Sequence, residues 1–212
     1  MTRDEAVARI QRQLGQRTDK LTDIQDELKN AQTFYERWTT LPWFLIDELH
    51  RIQTSDGEER IPVPEDFLRE YEKGTLWYWN GDATSADAVW TNLVKEDVDY
   101  LRDTLYSTGA PQAYSIGGDY FRIFPTPDDT YWLKMVYYKQ DTVLDDNVEN
   151  DWLKWQPDLL TGYAGRMIAN SLYNDRARAY FTEMETSARE IMVKHSEARE
   201  HENRRYIMGG PD

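Results

Sequence analysis

The hydrophobic period of this chain changes twice along its 212 residues, and those changes limit the folds open to it. Up to Trp38 apolar residues recur every three or four positions, the spacing of one helix face. Thr2 with Glu5 forms a T-x-x-E capping box, which satisfies free N–H groups at a helix start. Ala6, Val7, Ile10 and Leu14 follow, with Gly15 as the stop. Leu21, Ile24, Leu28, Ala31, Tyr35 and Trp38 form the stripe of a second helix, ended near Thr39–Pro42. Beyond Pro157 the helical spacing returns, through Leu160, Tyr163/Ala164, Met167/Ile168 and Ser171/Leu172. Asn174–Asp175 marks a break. A second stripe then runs through Ala177, Tyr180/Phe181, Met184, Ala188, Ile191 and His195 to about Arg205.

Between these ends, residues 43–140 read as strands and turns. "WFLIDELHRIQTSDGEERIPVP" predicts two strands joined at Asp56–Gly57, a hairpin signal. A short helix is expected around Asp66–Lys73, a strand in "TLWYWNGD", and a two-turn helix over 97–109 with Val98, Leu101 and Leu105 on one side. The stretch "SIGGDYFRIFPTPDDTYWLKMVYYKQ" supplies further strands, with a tight turn at Gly117–Gly118 and a connection shaped by Pro125 and Pro127. FRIF and YWLKMVYY read as a hairpin whose inner face builds a core. YWLKMVYY is apolar on both faces, which a half-solvated strand does not allow.

Helices, strands, helices is the pattern of an α+β protein. The chain ends form a helical bundle, and antiparallel hairpins form a β-rich insertion. The expected organisation is one domain over 1–203, with helices over 3–38 and 157–203 around an insertion at 43–140. An extended C-terminal tail, 204–212, follows the long last helix.

Composition excludes several classes. Lys and Arg number 25 against 39 Asp and Glu, a net charge of −14 that repels phosphate and disfavours sequence-reading DNA contact or anionic membrane. With no cysteine there are no disulfides or thiolate sites. Apolar runs fall short of the ~20 residues that span a bilayer, and "MTRDEAVARI" lacks a signal-peptide core, so a soluble protein is expected.

No catalytic set emerges. His195 and His201 lie six apart on a helix, where a metal pair needs three or four, and His50 sits in a strand. Asp145, Asn147 and Glu149 alternate as in a calcium loop, but Asn150 stands where the loop needs Gly and Gln156 where it needs Glu. Asp128–Asp129 beside Tyr131 and Trp132 raises a glycosidase pair, yet neighbouring strand residues face opposite ways, and the pair suits a turn. The expectation is no catalysis, no metal and no cofactor.

An ordered set of short motifs resembles the bacteriophage head–tail adaptor (connector or neck) proteins. Ala31, Gln32, Phe34 and Tyr35 come first, then Val63–Pro64–Glu65–Asp66–Phe67 and Gly109–Ala110–Pro111. A strand block follows with Tyr114, Ile116, Gly117, Ile123, Pro125, Pro127–Asp128, Tyr131, Leu133 and Tyr137–Tyr138. Leu144–Asp145–Asp146 and Pro157–Asp158–Leu159–Leu160 with Tyr163–Ala164 complete it, so the likeness spans about 20 to 195.

The resemblance implies a structural virion protein without enzymatic activity, located in the neck between capsid portal and tail and made in the host cytoplasm. It implies a homo-oligomeric ring, commonly a dodecamer, that binds the portal protein, extends the DNA channel and carries a tail or nozzle protein. DNA would pass without sequence-specific binding. On this view Arg204, Arg205, Tyr206, Ile207, Met208 and Gly209 bind the portal, and the outer aromatic face led by Trp132 and Tyr138 is a subunit interface. The alternative is another tail-associated virion protein that binds carbohydrate through its aromatics.

Overall fold

The computed structural model describes residues 1–72, 74–79, 81, 89–104, 107–145 and 150–208, the last ten of these through helical backbone alone. The mixed α+β class expected from the period changes is what the chain adopts. It divides into two compact units, one built from Met1–Leu45 with Asp141–Asp212, the other from Ile46–Gln140.

In the helical unit α1 (Arg3–Gln13) starts on the expected capping box. Thr2 Oγ1 accepts from the Glu5 N–H (3.3 Å), and the Thr2 N–H donates to Glu5 Oε2 (2.8 Å). Gly15, at φ +77°, closes it with Gln16 N–H bonded back to Gln11 O at 2.8 Å. α2 (Leu21–Glu36) buries Ile24, Leu28, Ala31 and Tyr35. α4 (Asp151–Trp155) leads into α5 (Pro157–Ser171), whose Pro stands in the first turn.

Helix α5 is buried on most of its circumference, because α1, α2, α4 and α6 (Asp175–Met208) all pack on it. Two glycines let α6 come close. A Cβ at Gly162 would lie 2.7 Å from the Glu185 backbone nitrogen, and one at Gly165 2.5 Å from the Phe181 ring. Asn174 Oδ1 caps α6 by accepting from Ala177 N–H at 3.1 Å. Of its expected stripe Ala177, Phe181 and Ala188 are buried, whereas Tyr180, Ile191 and His195 are exposed and Glu185, Met192 and Ser196 complete the buried line. Glu185 fits because Arg166 Nε (2.6 Å) and the Tyr35 hydroxyl (2.8 Å) both donate to it. Burial and that carboxylate push the Tyr35 phenol far up.

A second polar node has no counterpart in the periodicity. Glu36 Oε1 accepts from Gln32 Nε2 (2.8 Å), the Asp141 N–H (3.2 Å) and the Trp152 indole (3.3 Å). Gln32 Oε1 in turn accepts from Leu144 N–H and Asn150 Nδ2, both at 3.2 Å. Asp141 takes the Trp152 N–H at 3.1 Å. Desolvation raises both carboxyls, Glu36 and Asp141, above their ordinary values.

The β unit corrects three expectations. β1 (Ile46–Gln53) and β2 (Arg60–Pro62) do not pair with each other. β1 joins β9 (Trp132–Lys139), and β2 joins β8 (Tyr120–Phe124). The Asp56–Gly57 turn exists, with Gly57 at φ +73°, but it lies on a crossover between sheets. β8 and β9 likewise belong to different sheets, so the Pro-rich segment is a second crossover and not a hairpin loop. The two crossovers bond each other, Thr54 N–H to Tyr131 O and Gly57 N–H to Pro127 O, both at 2.9 Å. Mutual pairing gives their polar backbone the partners a tight hairpin would otherwise supply.

The third correction is β3 (Phe67–Glu70), where a short helix was expected. Two isolated helical turns carry a nucleation cost for few hydrogen bonds. In the strand, β3 fills an edge of β9, and Phe67 places its ring 5.6 Å from Phe121 and 5.4 Å from Tyr137. Lys73 and Leu105 lie outside the described residues.

The five-stranded sheet runs β1–β9–β4–β5, with β4 at Leu76–Trp79 and β5 at Thr91–Asn92, and β3 beside β9. The other sheet runs β2–β8–β7–β6, with β6 at Val94–Lys95 and β7 at Ala113–Gly117. Gly118, at φ +71°, makes the expected β7–β8 turn. Ile61, Tyr114, Phe121 and Ile123 from one sheet meet Leu76, Leu133, Met135 and Tyr137 from the other in one core. α3 (Val98–Thr104) covers the far side of the four-stranded sheet, Val98 and Leu101 packing on Ala113 and Phe124.

Candidate functional site: the outer face of the five-stranded sheet

Strand β9 is covered on both edges, by β1 on one side and by β4 and β3 on the other. Its alternation sends Leu133, Met135 and Tyr137 into the core and Trp132, Lys134, Val136 and Tyr138 to the opposite face. The register then fixes two rows on that face. Trp132 pairs with Gln53 on β1 and Trp79 on β4; Lys134 pairs with Arg51 and Trp77.

Trp90, just before β5, closes the group. The Lys134 ammonium sits 5.4 Å from the Trp77 ring centroid and 5.7 Å from that of Trp90, and Arg51 lies over Trp90 at 5.7 Å. Trp77 is held by its indole N–H, which donates to Gly74 O at 3.1 Å. Trp77, Trp79, Trp90 and Trp132 are all half-buried. Burial pulls the Lys134 ammonium below its ordinary value, opposed by Glu48 and reinforced by Arg51. Among the described residues no carboxylate reaches ion-pair distance of Lys134. Wide indoles beside a partly desolvated cation can stack on a flat apolar group and pair with an anion.

The two residues expected to lead this face part company. Trp132 lies on it, half-buried. Tyr138 is only 4% exposed, covered by Tyr71 (5.8 Å between rings) and by the Arg69 guanidinium (5.2 Å). Its ring therefore offers a neighbour almost no surface. Trp77 was singled out with Trp132 only for the carbohydrate alternative, and the sequence reading missed Trp79, Trp90, Lys134 and Arg51. Period-two spacing of Trp77 and Trp79, matched to Trp132 and Lys134, was the available signal.

The remaining candidates lie elsewhere. Arg204, Arg205, Tyr206, Ile207 and Met208 belong to the continuous helix α6 and not to an extended tail; Gly209 lies outside the described residues. Asp128 accepts from the Tyr131 hydroxyl at 2.5 Å, and Asp129 Oδ1 takes the Thr130 N–H at 2.7 Å, both within the crossover turn. Asp145 pairs with Arg3 at 3.3 Å, whereas Asp146, Asn147 and Glu149 are outside the described residues. Among the described residues no three His, Asp or Glu side chains gather as a metal site, and no helix is long and apolar enough to cross a membrane.

A family model described as SU10 adaptor protein matches residues 1–208. The chain belongs to the SU10 adaptor family. It is thus a phage head–tail adaptor by family, a structural virion component whose partners are other virion proteins. No curated protein matches the sequence.

Proposed function

We propose that the chain forms a ring on the portal of a filled capsid, extends the DNA channel and provides the platform for a tail or nozzle protein. The observation that carries this reading is the adaptor-family match over residues 1–208. Two physical features agree with it. A net charge of −14 suits a channel wall that lets DNA pass without gripping it. The indole and cation face suits side-to-side packing of copies, with Trp132 in the contact and Tyr138 reserved for the fold. The end of α6 is the portal-binding element, through Arg204 to Met208 and Gly209. The ring is dodecameric, the copy number common among head–tail adaptors.

Electron microscopy of the chain mixed with its portal is the direct test. The expected result is a closed ring stacked on the portal; portal particles without added density would sink the proposal. Removal of Tyr206 to Asp212 should leave the fold intact and weaken co-sedimentation with portal. Unchanged co-sedimentation would refute the role of that segment.

One observation favours a second reading, a tail-associated protein that binds carbohydrate. Trp77 and Trp132 are half-buried on an outer face beside Lys134 and Gln53, as stacking platforms for sugars are. Binding on a glycan array that vanishes in Trp77→Ala would establish it, and silence of the array would remove it.

A further inference from the structure

Unit Ile46–Gln140 has four layers of consequence: the indole and cation face, the five-stranded sheet, the four-stranded sheet, and α3. The sheets share one core, and α3 packs on the side of the four-stranded sheet turned away from that core. The indole and cation face and α3 therefore cap opposite ends of the stack. They differ in sign. Lys134 and Arg51 mark one end, and exposed Glu96, Asp97, Asp99 and Asp103 mark the other.

The acidic end is only partly neutralised from within. Arg102 reaches Asp99 at 3.5 Å and Lys95 is taken by Glu70 at 2.5 Å. Glu96, Asp97 and Asp103 have no ion-pair partner among the described residues. Tyr100 stands among them 58% exposed, an apolar ring with little cover. A surface that meets itself by two-fold symmetry places like charge on like charge. Two different patches of opposite sign on opposite ends of a unit instead favour head-to-tail contact, the kind that closes into a ring.

We propose that the occupant of the indole and cation face is a second copy of this chain, docked through its α3 end, with Lys134 meeting Asp103, Asp97 or Glu96 and Tyr100 set against the indoles. This rests on the ring reading above and names the two surfaces that build the ring. The ammonium of Lys134, lowered by burial and raised by Glu48 of its own chain, has no ion-pair partner among the described residues.

The test uses the full chain, isotope-labelled and unlabelled copies mixed, with portal and separately at high concentration without it. A zero-length carbodiimide reagent joins amines to carboxylates that touch. The expected product is a mixed-label peptide pair linking Lys134 to Asp103, Asp97 or Glu96. Lys134→Glu alone and a change to Lys of the carboxylate found in the link should each lower ring formation about tenfold, and the two together should restore it. Because Glu96, Asp97 and Asp103 are all exposed, the carboxylate variant carries the test even if Lys134→Glu fails to fold.

Rings on portal whose Lys134 links go to portal, to tail protein or to Glu48 of another copy overturn the proposal and leave the adaptor reading standing. Lys134 links to α3 without any portal binding keep the proposal and overturn the adaptor reading. Neither links nor portal binding overturns both.

Discussion

In the helical unit the costly polar groups are inside. Glu36 and Asp141 are buried carboxyls and Gln32 and Asn150 are buried amides; Glu36, Gln32 and Asn150 tie the segment after Gln140 to α2, and the Asp141 carboxylate holds the Trp152 N–H within that segment. In the β unit the buried space between the sheets is dominated by aromatic and aliphatic side chains, and the anomalous groups, four indoles and two cations, are on an outer face. A buried polar node is worth having only if every member is satisfied. An outer face of indoles is worth having only if something covers it. The first arrangement serves the fold, and the second is the one we propose for association.

If that contrast holds, the largest stability losses come from the helical unit's interior. Trp152→Ala removes a fully buried indole packed against Phe44 (5.3 Å) and Tyr35 (6.1 Å) and takes from Glu36 one of its three donors. It should cost about 3–5 kcal/mol in urea unfolding; a loss below about 1 kcal/mol would break the contrast. Gly162→Ala comes next. The added methyl meets the Glu185 backbone, which cannot swing aside, so α5 and α6 must part at about 1–3 kcal/mol.

The polar node predicts an effect of pH. Glu36 and Asp141 hold protons more readily folded than unfolded, because burial raises them. Their stabilising share is therefore fully present below the ordinary values of 4.5 and 3.8 and is lost as pH rises through the raised folded values. Glu36→Gln removes one titration. Measured by urea unfolding from pH 4.5 to 8, the variant should gain on the wild type as pH rises, and a constant difference across that range would refute the burial argument.

The smallest effect on folding, with the largest on assembly, belongs to Trp132→Ala. It should cost about 1 kcal/mol or less, the scale of one cross-strand pair, yet reduce ring formation on portal. Lost stability with intact rings would reverse the roles assigned to the two units.

What the sequence disclosed follows the range of the interactions. Thr2 with Glu5, Gly15, Pro157 and Asn174 act within a turn of chain, and each sits where its spacing predicted. The strands of the middle were visible, but their partners were not. Asp56–Gly57 makes its turn and still joins two sheets, because pairing was decided by β9 and β8 some sixty residues away or more. Glu185 and Gln32 occupied positions in helical stripes that periodicity assigns to apolar groups, and only partners from other helices explain them. At the candidate face, Trp132 was legible from one strand's alternation. Tyr138 failed because Tyr71 and Arg69, which cover it, lie far off in sequence.

The helical unit is made from both ends of the chain, with 46–140 between them. Synthesis therefore releases α1 and α2 well before α5, the helix on which both pack. Until residue 171 leaves the ribosome, Ile10, Ile24, Leu28 and Tyr35 have no such surface to bury against. The β unit, contiguous in sequence, can close in that interval. The order of birth is thus sheets first and bundle last, and a stalled or truncated chain ending near residue 156 would carry a finished β unit and a sticky, unfinished pair of helices.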